Sequence, residues 1–162
     1  MNYEVFDNFL PKEEFKPLQD FMLSYDCPWY YNEGVSTTED DHFQFIHNFF
    51  NNGAASVHLP VLEALLNKIG PSILYRAKGN LLTKTLEHVE HGWHYDFDPE
   101  DLVCKTAVFY INTNNGYTKF KDGPSIESIE NRLIVFDSPM AHTGASQTDT
   151  NARVVINLNF DL

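Results

Sequence analysis

Four residues in this 162-residue chain have the types and spacing to do redox chemistry. His94 and Asp96 stand two apart in Glu90-His91-Gly92-Trp93-His94-Tyr95-Asp96. On an extended backbone, positions i and i+2 point to the same face. One imidazole nitrogen and one carboxylate oxygen then reach a single ion. His142, in Ser138-Pro139-Met140-Ala141-His142-Thr143-Gly144, lies 46 residues past Asp96 and supplies a second imidazole. Two histidines and one carboxylate, with the remaining positions open, suit non-haem Fe(II) that activates oxygen. Arg153 follows His142 by eleven residues. A guanidinium binds a carboxylate bidentately and stays charged when buried, so Arg153 is a candidate anchor for a carboxylate cosubstrate. Tyr110 is in phase to donate a second hydrogen bond from a neighbouring strand. Spacing leaves some choices open. His88-Val89-Glu90 repeats the pattern with a longer acid, His91 competes for the first ligand, and Asp98 competes for the acid.

Strands must position these groups. After Pro71 the apolar pattern changes to short alternating runs separated by turn signals such as Asn114-Asn115-Gly116, Asp122-Gly123-Pro124 and Asp137-Ser138-Pro139. Expected strands are 73–82, 86–90, 106–112, 118–120, 132–136 and 153–160. In the last, Val154, Ile156, Leu158 and Phe160 share one face, while Arg153, Val155, Asn157 and Asn159 share the other. In 106–112, Ala107, Phe109 and Ile111 oppose Thr106, Val108, Tyr110 and Asn112. The apolar faces require burial. The polar faces are either solvated or line a barrel interior.

Before Pro71 the pattern is helical. A short strand is expected over 3–9. A helix follows from Pro11, with Phe15, Leu18 and Met22 on one stripe and Pro17 expected to kink or divide it. A second helix begins at Pro60, carries Leu62, Leu65, Leu66 and Ile69, and stops at Gly70-Pro71. Residues 25–58, rich in aromatics and amides, read as a loop-rich layer over the core or a substrate lid. The fold class is therefore mainly β with N-terminal helices (α+β). One domain of 1–162 is expected, with 1–72 as helical and loop support and 73–162 as the β core.

Composition narrows the partners. The net charge is −12, which argues against a nucleic-acid partner and against anionic membranes. No run approaches the ~20 apolar residues of a membrane helix. Cys27 and Cys104, with no CxxC partner, read as free thiols in a reducing cytoplasm.

The chain resembles the Fe(II)/2-oxoglutarate-dependent oxygenases, specifically small prolyl-4-hydroxylase-like proteins of marine bacteria and of phages that infect bacteria. The resemblance rests on Arg76-Ala-Lys-Gly-Asn-Leu-Leu82, His91-Gly-Trp-His-Tyr-Asp96, Ala107-Val-Phe-Tyr-Ile-Asn112, Gly116-Tyr-Thr-Lys-Phe120, Asn131-Arg-Leu-Ile-Val-Phe-Asp137, His142-Thr-Gly144 and Arg153-Val-Val-Ile-Asn157. It implies a double-stranded β-helix, or jelly roll, flanked by two or more helices. It implies Fe(II), 2-oxoglutarate and O2, and selects His94, Asp96 and His142 as metal ligands. It sets Arg153 and Tyr110 on the far carboxylate of 2-oxoglutarate. Asn80 matches the asparagine of an Asn-x-Tyr motif that holds the cosubstrate, although Leu82 replaces the tyrosine; Asn157 and Asn159 would line the pocket. An acid at position 96, where related halogenases have a small residue, favours hydroxylation of a small molecule or a protein side chain in a bacterial cytoplasm. The competing expectation is a non-catalytic jelly-roll binding protein that retains a metal.

Overall fold

The computed structural model describes residues 2–36, 41–97, 100 and 102–162. Its strands are β1 (Tyr3–Phe6), β2 (Tyr30–Glu33), β3 (Phe43–Asn51), β4 (Ala54–Ala55), β5 (Ile73–Thr83), β6 (Lys105–Tyr110), β7 (Tyr117–Phe120), β8 (Ser125–Glu127), β9 (Leu133–Asp137), β10 (His142–Ala145) and β11 (Ala152–Asp161). The helices are α1 (Lys12–Met22) and α2 (Glu63–Ile69), the latter entered through a 3-10 turn at Leu59–Leu62. A large antiparallel sheet runs β1-β9-β6-β11-β5-β3-β2, with β4 on β3. A small sheet runs β10-β7-β8.

The long strand β11 is the hub, paired with β6 on one side and β5 on the other. Its alternation works as the sequence suggests. Val154, Ile156, Leu158 and Phe160 join Ala107, Phe109 and Ile111 in a buried core with Phe15, Leu18 and Met22 of α1 and Leu65 of α2. Burying each large side chain contributes roughly 1.5–3 kcal/mol. The opposite face of the large sheet packs on the small one, through Val108, Tyr110 and Val155 against Phe120 and Ile126. The polar face is therefore interior, not solvated.

Three expectations need correcting. Pro17 does not divide α1, which runs through it; the carbonyl it orphans belongs to exposed Glu13, where water is at hand. Residues 86–90 are not a strand. Leu86 is 99% exposed, and the segment's backbone joins the small sheet by an isolated bridge from Glu90 to Ala145 and not by a ladder. Residues 25–58 are not loop alone. They include the β2–β3 hairpin and β4, and β3 pairs along β5. The polar residues that disguised β3 are satisfied in place: Gln44 accepts from Asn80 at 2.6 Å, and the His47 ring bonds the Pro28 carbonyl and the Ser56 hydroxyl. The second helix ends as expected, with Gly70 in the left-handed region at φ 69°.

Candidate metal and cosubstrate site

Cross-strand pairing builds the floor of the site. In the β5–β11 register, Arg153 faces Leu82, Val155 faces Asn80, Asn157 faces Lys78 and Asn159 faces Arg76. Side chains from all four pairs point between the two sheets. A cavity of about 180 Å³ opens there, roofed by Thr118 of β7 and by His142 and Gly144 of β10.

His94 and His142 meet across an isolated antiparallel bridge. The bridge, and not a regular strand, carries the His94-Tyr95-Asp96 segment. One nitrogen of each histidine and one oxygen of Asp96 all lie within 4.8 Å of one another, the only such cluster among the described residues. His94 Nδ1 lies 3.2 Å from the Gly92 carbonyl, and His142 Nδ1 lies 3.0 Å from the Met140 carbonyl. A carbonyl only accepts, so both Nδ1 atoms carry the proton and both Nε2 lone pairs are free to ligate. Burial, reinforced by His142, lowers the His94 pKa and favours the neutral ligand form. The donor set thus fits an Fe(II)-type dication.

Asp96 is held ionised. Burial by itself raises its pKa, but Arg76 first, then His142 and the Asn159 amide, overcome this and bring it to about 2. Arg76 Nη2 donates to Oδ1 at 2.6 Å and Asn159 Nδ2 donates to Oδ2 at 3.0 Å. Arg76 Nε also donates to Asn159 Oδ1 at 2.9 Å, closing a ring of three side chains. Thr106 completes it by accepting from Asn159.

Arg153 is 4% exposed. Its Nε donates to Ser128 Oγ at 2.9 Å and its Nη2 to Thr118 Oγ1 at 3.2 Å. The guanidinium lies over the Tyr110 ring. No carboxylate among the described residues pairs with it, so a cation with spare donors faces the cavity. Gly116 makes room for its stem: a Cβ there would lie 2.7 Å from Arg153 Cδ and 2.9 Å from the Ala145 carbonyl.

The remaining expected residues are placed as follows. Tyr110 is fully buried and donates to Thr118 Oγ1 at 2.8 Å, standing behind Arg153 and not on the cavity wall. Asn80 and Asn157 line the cavity and bond each other at 3.3 Å. Leu82 lines it beside Arg153. His88 turns to the Ser146 carbonyl and Glu90 to Tyr117 and Lys119, so that pair does not converge. His91 stacks near His42, away from the cluster. Asp98 lies outside the described residues. Sequence reasoning assigned nothing to Arg76, Lys78, Thr118, Ser128 or Gly116. The signal for the first two was in the alternation of β5, where 76, 78, 80 and 82 share a face.

Solved structures with the same architecture decide the fold. An oxidoreductase of the 2OG-Fe(II) oxygenase family from Burkholderia pseudomallei superposes with a TM-score of 0.69 at 12% identity, over 98% of this chain and 84% of its own. The fold is that of the 2OG-Fe(II) oxygenases. A prolyl hydroxylase from Trichoplax adhaerens, in complex with a hypoxia inducible factor peptide fragment, gives 0.67 at 12% identity over 98% and 83%. The viral collagen prolyl hydroxylase of Paramecium Bursaria Chlorella virus-1, as its 2OG complex, gives 0.65 at 14% identity over 100% and 97%. No protein-family model matches the sequence, and no curated protein matches it either. The double-stranded β-helix expected from the sequence is thus present, with the helices against its large sheet. Among the described residues no helix is long and apolar enough to cross a membrane.

Proposed function

We propose that this protein is an Fe(II)- and 2-oxoglutarate-dependent dioxygenase whose whole chain forms one catalytic domain. The observation that carries the reading is the pairing of two features in one cavity: three convergent ligands, His94, Asp96 and His142, and a buried, unneutralised Arg153. Such an arrangement suits a metal at one end and a dicarboxylate between metal and guanidinium. When bound, Fe(II) supplies oxygen activation coupled to decarboxylation of 2-oxoglutarate to succinate and CO2, with the second oxygen atom entering a substrate C–H bond.

The chain's own residues set the geometry. The Gly92 and Met140 carbonyls fix the tautomer of each histidine. Arg76 and Asn159 fix the rotamer and charge of Asp96. Thr118 and Ser128 aim Arg153, with Tyr110 backing it. Asn80 and Asn157 form a polar wall for the cosubstrate. The substrate is a small molecule or a peptide; the peptide complex of the Trichoplax neighbour supports the second. Incubation with Fe(II), ascorbate and 2-oxoglutarate in air tests the reading. Succinate release by the wild type and none by His142→Ala is the expected result. Equal release by both would overturn the ligand assignment.

A further inference from the structure

Among the described residues, the cavity lining carries more positive charge than it neutralises. Its described lining includes three cations, Arg76, Lys78 and Arg153, and one acid, Asp96. Arg76 takes that acid at 2.6 Å. Arg153 is held by two hydroxyls and, on the reading above, meets the cosubstrate. Lys78 has no such partner. Its side chain forms no ion pair or hydrogen bond with any described residue, and the described acid whose field reaches it is Asp96, already engaged. Burial, then Arg76, brings its pKa down to about 8, the mark of an uncompensated ammonium. All this occurs in a chain of net charge −12, so the positive field is local to the cavity.

Position separates Lys78 from Arg153. Lys78 faces Asn157, one side-chain pair from the Arg76–Asn159 pair that grips Asp96. Asn157 is four residues from Arg153 along β11, roughly 13 Å of extended strand. Lys78 therefore addresses the metal end of the cavity. An Fe(II) dication and a 2-oxoglutarate dianion cancel each other. Loading the site leaves its excess positive charge intact, and Arg153, not Lys78, faces the far carboxylate.

We infer that Lys78 receives the carboxylate of the molecule oxidised at this site, so that the primary substrate is a small carboxylic acid and not a neutral compound. This inference rests on the dioxygenase reading. It explains why an ammonium stands beside a metal cluster with no counter-ion among the described residues: the anion arrives with the substrate. A flexible ammonium suits a point contact to one carboxylate, whereas the planar Arg153 suits bidentate capture of the cosubstrate.

Fluorine NMR relaxation tests the inference, with redox-silent Mn(II) in the site and 2-oxoglutarate saturating. The probes are trifluoroacetate and its neutral counterpart trifluoroacetamide. In the wild type, Mn(II)-dependent relaxation of trifluoroacetate should exceed that of trifluoroacetamide. Lys78→Met should lose the excess, and Lys78→Arg should keep it. No excess in the wild type, or an excess that survives Lys78→Met, overturns the inference while leaving the dioxygenase reading standing. Loss of 2-oxoglutarate binding in Lys78→Met also overturns it, because the lysine would then serve the cosubstrate. A wild-type protein that binds neither Mn(II) nor 2-oxoglutarate removes the dioxygenase reading itself, and this inference with it.

Discussion

His94 and His142 hold each other through their backbones. The His94 N–H donates to the His142 carbonyl at 3.1 Å, and the His142 N–H donates to the His94 carbonyl at 3.1 Å. Their rings lie with centroids 4.5 Å apart, tilted by 52°. These two backbone hydrogen bonds tie together a non-adjacent pair of candidate ligands, one on β10 and one on an irregular segment, a pair that only the folded chain assembles.

Metal should therefore stabilise the folded protein directly. A ligand present at 100 times its Kd adds about 2.7 kcal/mol when it binds only the native state. Mn(II) or Zn(II) is expected to raise the wild-type Tm by several degrees, and chelator to reverse the shift. His142→Ala should show no rise. A rise of equal size in the variant, followed by differential scanning fluorimetry, would place the metal elsewhere.

On the proposed reading, Arg153 sets cosubstrate affinity. Truncating one partner of a buried, hydrogen-bonded charge pair costs about 2–5 kcal/mol. Arg153→Met should weaken 2-oxoglutarate binding by that amount in calorimetry while Mn(II) binding persists. Gly116→Ala should weaken it in the same direction with the guanidinium still present, because the added methyl displaces Arg153 Cδ or the Ala145 carbonyl. Unchanged affinity in both variants would remove Arg153 from the cosubstrate site.

Arg76 is needed to keep Asp96 charged and aimed. Removing one member of a buried ion pair costs about 3–5 kcal/mol. The folded-state pKa of Asp96, about 2, lies below its ordinary value of 3.8. The pairing therefore contributes fully above pH 3.8 and is lost as pH falls through about 2. Urea unfolding of the metal-free protein should show Arg76→Met less stable at pH 6, with the gap to wild type narrowing below pH 4. A gap that does not change with pH would mean the loss is of packing alone.

The core face of β11 tolerates no truncation. Leu158 is fully buried between α1 and the large sheet. Leu158→Ala should cost about 2–5 kcal/mol in urea unfolding. A cost below 1 kcal/mol would contradict the packing described for this strand.

Legibility in the sequence followed the physics of each segment. The two faces of β11 and β6 were readable because four and three apolar residues alternate there without interruption. The cluster of His94, Asp96 and His142 was readable because metal chemistry demands those types; Arg153 was singled out by its type and spacing, and the fold sets it on the same cavity. β3 was hidden, since Gln44, His47 and Asn48 break its apolar pattern, and the partners of Gln44 and His47, such as Asn80 and Ser56, lie on other segments. The error at 86–90 has the converse cause: Leu86 looked like a core residue but projects into water. Arg76 and Lys78 had no role assigned from the sequence. Only the register of β5 against β11 turns them inward, and register is a tertiary property. Tyr110 had the right face assigned, but its hydroxyl is taken by Thr118 and its ring by Arg153.

Anaerobic titration with Fe(II) and then 2-oxoglutarate, followed by visible absorption, tests the central claim most directly. The account predicts a weak visible band that needs both components, survives in Lys78→Met and disappears in His142→Ala. A folded, iron-loaded wild-type protein that gives no band with 2-oxoglutarate would contradict it, and would favour a jelly-roll protein that binds metal without oxygenase chemistry.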